Sequence, residues 1–81
     1  MVFEFSPQAL SVMNDTQRTV IADGFSHWNA DKVVVHDDGE CRPGGIHGDG
    51  HMLLAMIYRE REKVGAPIFV AGVMPNGDMH S

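Results

Sequence analysis

Side chains able to do chemistry crowd into one stretch, His36 to His51, which reads HDDGECRPGGIHGDGH. It holds three of the five histidines, the sole cysteine, four of the eleven acids and five of the nine glycines. His36, Cys41, His47, Asp49 and His51 are the candidate metal ligands, because imidazole, thiolate and carboxylate are the donors that zinc and similar divalent ions accept. Asp37, Asp38, Glu40 and Asp49 stand against a single Arg42, so the local field draws cations. The spacing matches none of the strong zinc signatures.

Two other chemistries rank lower. Gly44, Gly45, Gly48 and Gly50 suggest a backbone cradle for phosphate, but their order fits neither the Walker pattern nor the dinucleotide fingerprint, and no lysine follows. Cys41 with His47 or His51 and Asp49 has the residue types of a nucleophilic triad. The flanking acids, however, disfavour a thiolate. No catalytic motif is complete, and the sequence leans away from an enzyme.

These residues must be held by the segments on either side. Val2–Phe5 alternates, with Phe3 and Phe5 on one side, and reads as an edge strand. Ser6-Pro7 reads as an N-cap with proline at the first helical position. Leu10, Met13, Val20, Ile21, Phe25 and Trp28 then recur at three- and four-residue steps and predict one amphipathic helix over 7–28. A break at Asn14-Asp15, with Asp15 capping a second helix, is the alternative. Lys32–His36 is expected as an interior strand and Asp37-Asp38-Gly39 as a turn, with 40–42 as a short return strand.

A second helix is expected over 50–64, capped by Asp49 and stopped by Gly65. Ile68–Met74 is the last strand, followed by a turn at Pro75-Asn76-Gly77-Asp78 and a polar tail. The expected fold is α+β: a small mixed sheet of three to four strands packed with two helices, in the order β-α-β-(β)-α-β. Eighty-one residues make a single domain, 1–81.

A net charge of −5 and only six basic residues disfavour direct contact with nucleic acid. The longest apolar runs are far too short to cross a bilayer. One cysteine forms no intrachain disulfide, and MVFEFSPQAL lacks the pattern of a secretion signal, so the expected compartment is the cytoplasm. A domain this small has a thin stability margin and often gains from self-association. The leading expectation is therefore a non-enzymatic, homodimeric module that binds another protein, with Trp28, Met52, Met56, Ile68 and Val70 as interface residues; an acidic inhibitor or regulator is a variant of it. The rival expectation is a metal-binding protein or small metal-dependent hydrolase built on the 36–51 loop, with zinc as the model ion.

Overall fold

The computed structural model describes residues 1–40 and 50–80. The chain forms β1 (Val2–Phe5), α1 (Pro7–Ser11), α2 (Asp15–Gly24), β2 (Lys32–Glu40), β3 (His51–Arg59), β4 (Glu62–Lys63), β5 (Ile68–Val73) and β6 (Met79–His80). All six strands join one mixed sheet in the order β1-β2-β3-β5-β6, with β4 also on β3. β1 runs parallel to β2, and every other pairing is antiparallel.

The expected sheet of three to four strands with two sizeable helices is corrected by this arrangement. Both helices are short and lie between β1 and β2. The segment 50–64, expected as a helix, is a strand and the start of its return. The apolar run from Met52 to Tyr58 is too short for its periodicity to separate a buried helix from a central strand. Arg59–Lys63 extended the pattern to helical length and hid a reversal, because Glu60 and Arg61 occupy positive φ (51° and 69°) where glycine or asparagine would have signalled a turn. Gly65 does sit at φ 68°, but it interrupts the return path between β4 and β5 rather than ending a helix.

Both central residues of the two-residue β3–β4 loop thus hold a left-handed backbone without the side chains that suit it. Combining Glu60→Asn with Arg61→Gly is expected to raise stability by about 1 kcal/mol. In a domain of this size that is an upward shift in Tm of roughly 4–8 °C, read by thermal melting. An unchanged or lower Tm would refute the loop geometry.

The first helical segment breaks at Asn14. Its side chain accepts from the Gln17 N–H at 2.8 Å, and the Gln17 side chain accepts from the Asn14 N–H at 2.8 Å. This reciprocal capping box starts a new helix one residue before the expected cap, Asp15. Upstream, Ser6 does cap α1, its hydroxyl accepting from the Ala9 N–H at 3.2 Å.

One face of the sheet carries the core. Ala9, Met13, Ile21 and Phe25 from the helical layer pack on Val33, Val35, Leu53, Ala55, Ile57 and Val73, with Phe3 and Phe5 closing the β1 side. Strand alternation puts the odd-numbered residues of β2 and β3 on this face. Phe3, Phe25 and Trp28 continue it as a run of ring contacts, with centroids 5.7 and 5.1 Å apart. Entry into β3 needs glycine: a Cβ on Gly50 would lie 3.0 Å from the Val73 carbonyl oxygen and against the Met74 side chain.

Candidate functional site

Asp37-Asp38-Gly39 does not reverse the chain. Asp37 Oδ1 accepts from the Gly39 N–H at 2.8 Å, a local Asx-type turn. Gly39 takes φ 105°, and the strand carries on through a register shift between Asp37 and Glu40. The antiparallel partner β2 has among the described residues is 51–59; Glu40, expected to open a return strand, still belongs to β2, and 41–42 lie outside the described residues.

That pairing decides what can meet. Asp37 lies opposite Leu53, and Glu40 opposite His51, so Asp37 and His51 share the helix-covered face at one end of the sheet. His51 Nδ1 lies 3.1 and 3.2 Å from the two Asp37 oxygens. With Nδ1–H donated to the carboxylate, Nε2 presents its lone pair, which suits it to accept a hydrogen bond, take a proton or bind a metal. His51 borders a cavity of about 370 Å³ lined also by Ser11, Asn14, Gln17, Val73 and Met74 among others. Ser11 is already engaged, its hydroxyl donating to the Gln8 carbonyl at 2.7 Å.

His36 is opposite Leu54, on the other face of the sheet. It cannot reach an ion held by His51. Cys41, His47 and Asp49 lie outside the described residues. Among the described residues no three of His, Cys, Asp and Glu converge as a metal group. Asp37, the partner the structure gives His51, was read as a turn residue and as one of the acids that draw cations to the loop, not as a partner of His51; its signal is a carboxylate near the end of one strand and an imidazole at the start of the next.

The second feature is larger. Even-numbered residues of β2 and β3 point away from the helices, and Val34, Met52, Leu54, Met56 and Tyr58 form an apolar surface there. Phe69, opposite Leu54 on β5, extends it. No described helix packs on this face. Among the described residues its charges stand at the margins: Lys32 pairs with Glu4 at 3.7 Å on the β1 border, Lys63 on β4 lies opposite Tyr58, and others lie at the end beyond His36. The expected interface residues divide accordingly: Met52 and Met56 lie on this open face, whereas Trp28, Ile68 and Val70 line a groove between α2 and β5. Leu54 and Phe69, absent from that expected set, are central to the face and to its border.

No family model, no curated protein and no solved structure matches this chain. Function must therefore be read from these surfaces. Among the described residues, no helix is long and apolar enough to cross a membrane.

Proposed function

We propose that the chain is a non-enzymatic protein-interaction module that works as a homodimer, two copies meeting through the open face of the sheet. The observation that carries this is the apolar surface of Val34, Met52, Leu54 and Met56, which no described element of the same chain covers. A second copy suits it on several grounds. Strands about 4.8 Å apart with a rise of about 3.3 Å per residue give the four main strands a flat footprint of roughly 450 Å². With side-chain relief, two such faces exceed the ~1,000 Å² that a specific interface needs. The centre of the face is free of charge, its one paired carboxylate, Glu4, lying on the border with Lys32, so a chain of net charge −5 can meet its like there without bringing carboxylates into the middle of the contact.

Sheet faces packed across a two-fold axis are self-complementary by construction. Association would also supply burial that so small a core lacks. The cytoplasm is the compartment this reading assigns, and the acidic balance favours partners with basic surfaces over nucleic acid.

Sedimentation equilibrium over a dilution series tests the proposal. The wild type is expected to be a dimer at tens of micromolar, with a melting temperature that rises with concentration. Leu54→Glu, which puts a carboxylate at the centre of the contact, is expected to be a folded monomer. A wild type that stays monomeric at high concentration would end this reading.

A second reading, metal binding, draws on one observation: the carboxylate-held imidazole of His51, which leaves Nε2 unpartnered among the described residues. Elemental analysis of untagged protein is the check. Under this reading stoichiometric zinc is present and is lost in His51→Ala, while Asp37→Asn weakens it by roughly 10- to 100-fold, the usual effect of losing the group that orients a ligating histidine.

A further inference from the structure

We infer that the groove between α2 and the outer edge of β5 receives an extended, basic-flanked segment of a partner protein, which adds to the sheet as a further strand. The inference rests on the interaction-module reading and names the partner's chemistry. β5 pairs with β3 along its inner side. On its outer side β6 meets only Gly72 and Val73. Among the described residues, the outward backbone groups of Ile68 to Ala71 therefore have no strand beside them.

A bare edge of this kind is usually blunted by lysine, proline or a covering segment. Ile68-Phe69-Val70-Ala71 has no charge and no proline. Its single irregularity is a bulge, where Leu53 and Leu54 face Ala71 and Phe69 so that Val70 is the extra residue. Val70 packs inward against the core.

Beside the edge lies an apolar cavity of about 340 Å³, bordered by Val20, Gly24, Trp28, Phe69 and Met79. Val20 and Trp28 are 50 and 42% exposed, two large apolar side chains on the helix side of the groove, while Phe69, opposite Leu54, borders it with its backbone and turns its ring to the open face. Trp28 is braced from behind by Phe25, and a Cβ on Gly24 would meet nothing within 4 Å. The groove is thus a slot with an aromatic rim and a backbone rail.

That combination selects an extended strand over a helix. Only an extended chain has free N–H and C=O groups to pair with the rail, and its alternate side chains then fall into the slot. Charge sets the flanks. Among the described residues no charged side chain lines the slot; Asp23 stands next to Gly24, and Arg18 on the same helix is paired with Asp15 at 2.9 Å. Against a chain of net charge −5, basic flanks are favoured and acidic ones repelled.

The test is a titration of the isotope-labelled full chain with a synthetic peptide in which valine and threonine alternate between paired lysines. Expected results are shifts and slowed hydrogen exchange at the amides of Ile68–Ala71, together with a blue shift in the emission of Trp28, the single tryptophan. Gly24→Leu, which plugs the slot, and Val20→Lys, which repels the flanks and leaves the helix intact, are each expected to weaken binding about tenfold or more. A peptide with proline at its centre should not bind.

The inference is overturned if these amides do not respond at about 1 mM peptide, if the proline peptide binds equally, or if neither variant weakens binding. It is also overturned if the same amides shift on concentrating the protein alone, which would assign the edge to a second copy. Lost peptide binding in a protein that still dimerises removes this inference and leaves the dimer. Peptide binding to a monomer does the reverse.

Discussion

Replacing Leu53 with alanine is expected to cost the fold about 3–4 kcal/mol, near the middle of the range for a fully enclosed leucine. Leu53 has no accessible surface and belongs to the buried cluster, with Asp37 and Ala71 opposite it on the two neighbouring strands. A small domain has little to spare, and a loss of this size lowers Tm by roughly 15 °C or more. The same substitution at Leu54, one residue along, should cost the isolated fold about 1 kcal/mol or less, because its side chain already meets solvent on the open face. Its effect should appear instead as weaker dimerisation. Urea denaturation of the two variants at low and high protein concentration separates these effects. Had 50–64 been a helix, neighbours 100° apart on an apolar turn would both be partly buried, and the two losses would be similar. Equal losses at Leu53 and Leu54 would therefore count against the strand and the dimer together.

How much of this was legible follows from where local signals were strong. Val2–Phe5 was readable to the residue, because two phenylalanines alternate on one side and Ser6-Pro7 announces a helix start. β5 was readable to within one residue, since Gly65 and Pro67 on one side and Pro75 on the other bound an apolar run. The capping box at Asn14 and Gln17 was legible as a possible break, but helical spacing across it was strong enough to favour one long helix. β3 was misread for a tertiary reason. A strand packed on one side usually alternates, but here Met52, Leu54 and Met56 on the open face are as apolar as Leu53, Ala55 and Ile57 on the core face, so the run carried no alternation to mark it as a strand. The 36–51 loop suffered from the same error: with 51–59 a strand, His36 and His51 fall on opposite faces, and Asp37 rather than His36 becomes the neighbour of His51. Asp37-Asp38-Gly39 had the right local chemistry and the wrong consequence, since an Asx turn can bulge a strand as readily as end it.

The second large effect belongs to Gln17, a polar side chain only 2% exposed. Its Nε2 donates to the carbonyls of Met74 and Asp78 at 3.2 and 3.1 Å, while its oxygen accepts from the Asn14 N–H at 2.8 Å. One amide thereby ties the start of α2 to the Met74–Asp78 turn that closes β5 onto β6. Both carbonyls keep a backbone donor, Gly77 N–H to Met74 at 3.0 Å and Met74 N–H to Asp78 at 2.9 Å, so Gln17→Leu leaves chiefly the Asn14 N–H without a partner. About 2 kcal/mol is expected for that variant. Gln17→Glu is nearly isosteric and should be worse. A carboxylate oxygen would replace the NH₂ group and face two carbonyl oxygens with nothing to donate, on a side chain only 2% exposed. About 4 kcal/mol or more is expected at neutral pH.

The sign with pH follows. Burial and the two carbonyls would raise the folded-state pKa of this glutamic acid above its ordinary ~4.3. The unfolded chain then releases the proton first, so the ionisation penalty grows as pH rises above ~4.3 and is complete above the folded-state pKa. Below that window the protonated acid can donate to one carbonyl, as the amide did. Gln17→Glu should therefore fall well below Gln17→Leu in stability at pH 7 and draw level with it, or pass it, near pH 4. Urea denaturation of wild type and both variants at the two pH values measures this. A Gln17→Glu variant as stable as wild type at pH 7, or a gap between the variants that does not change with pH, would show that the residue 17 side chain does not point at those carbonyls and that the turn is held some other way.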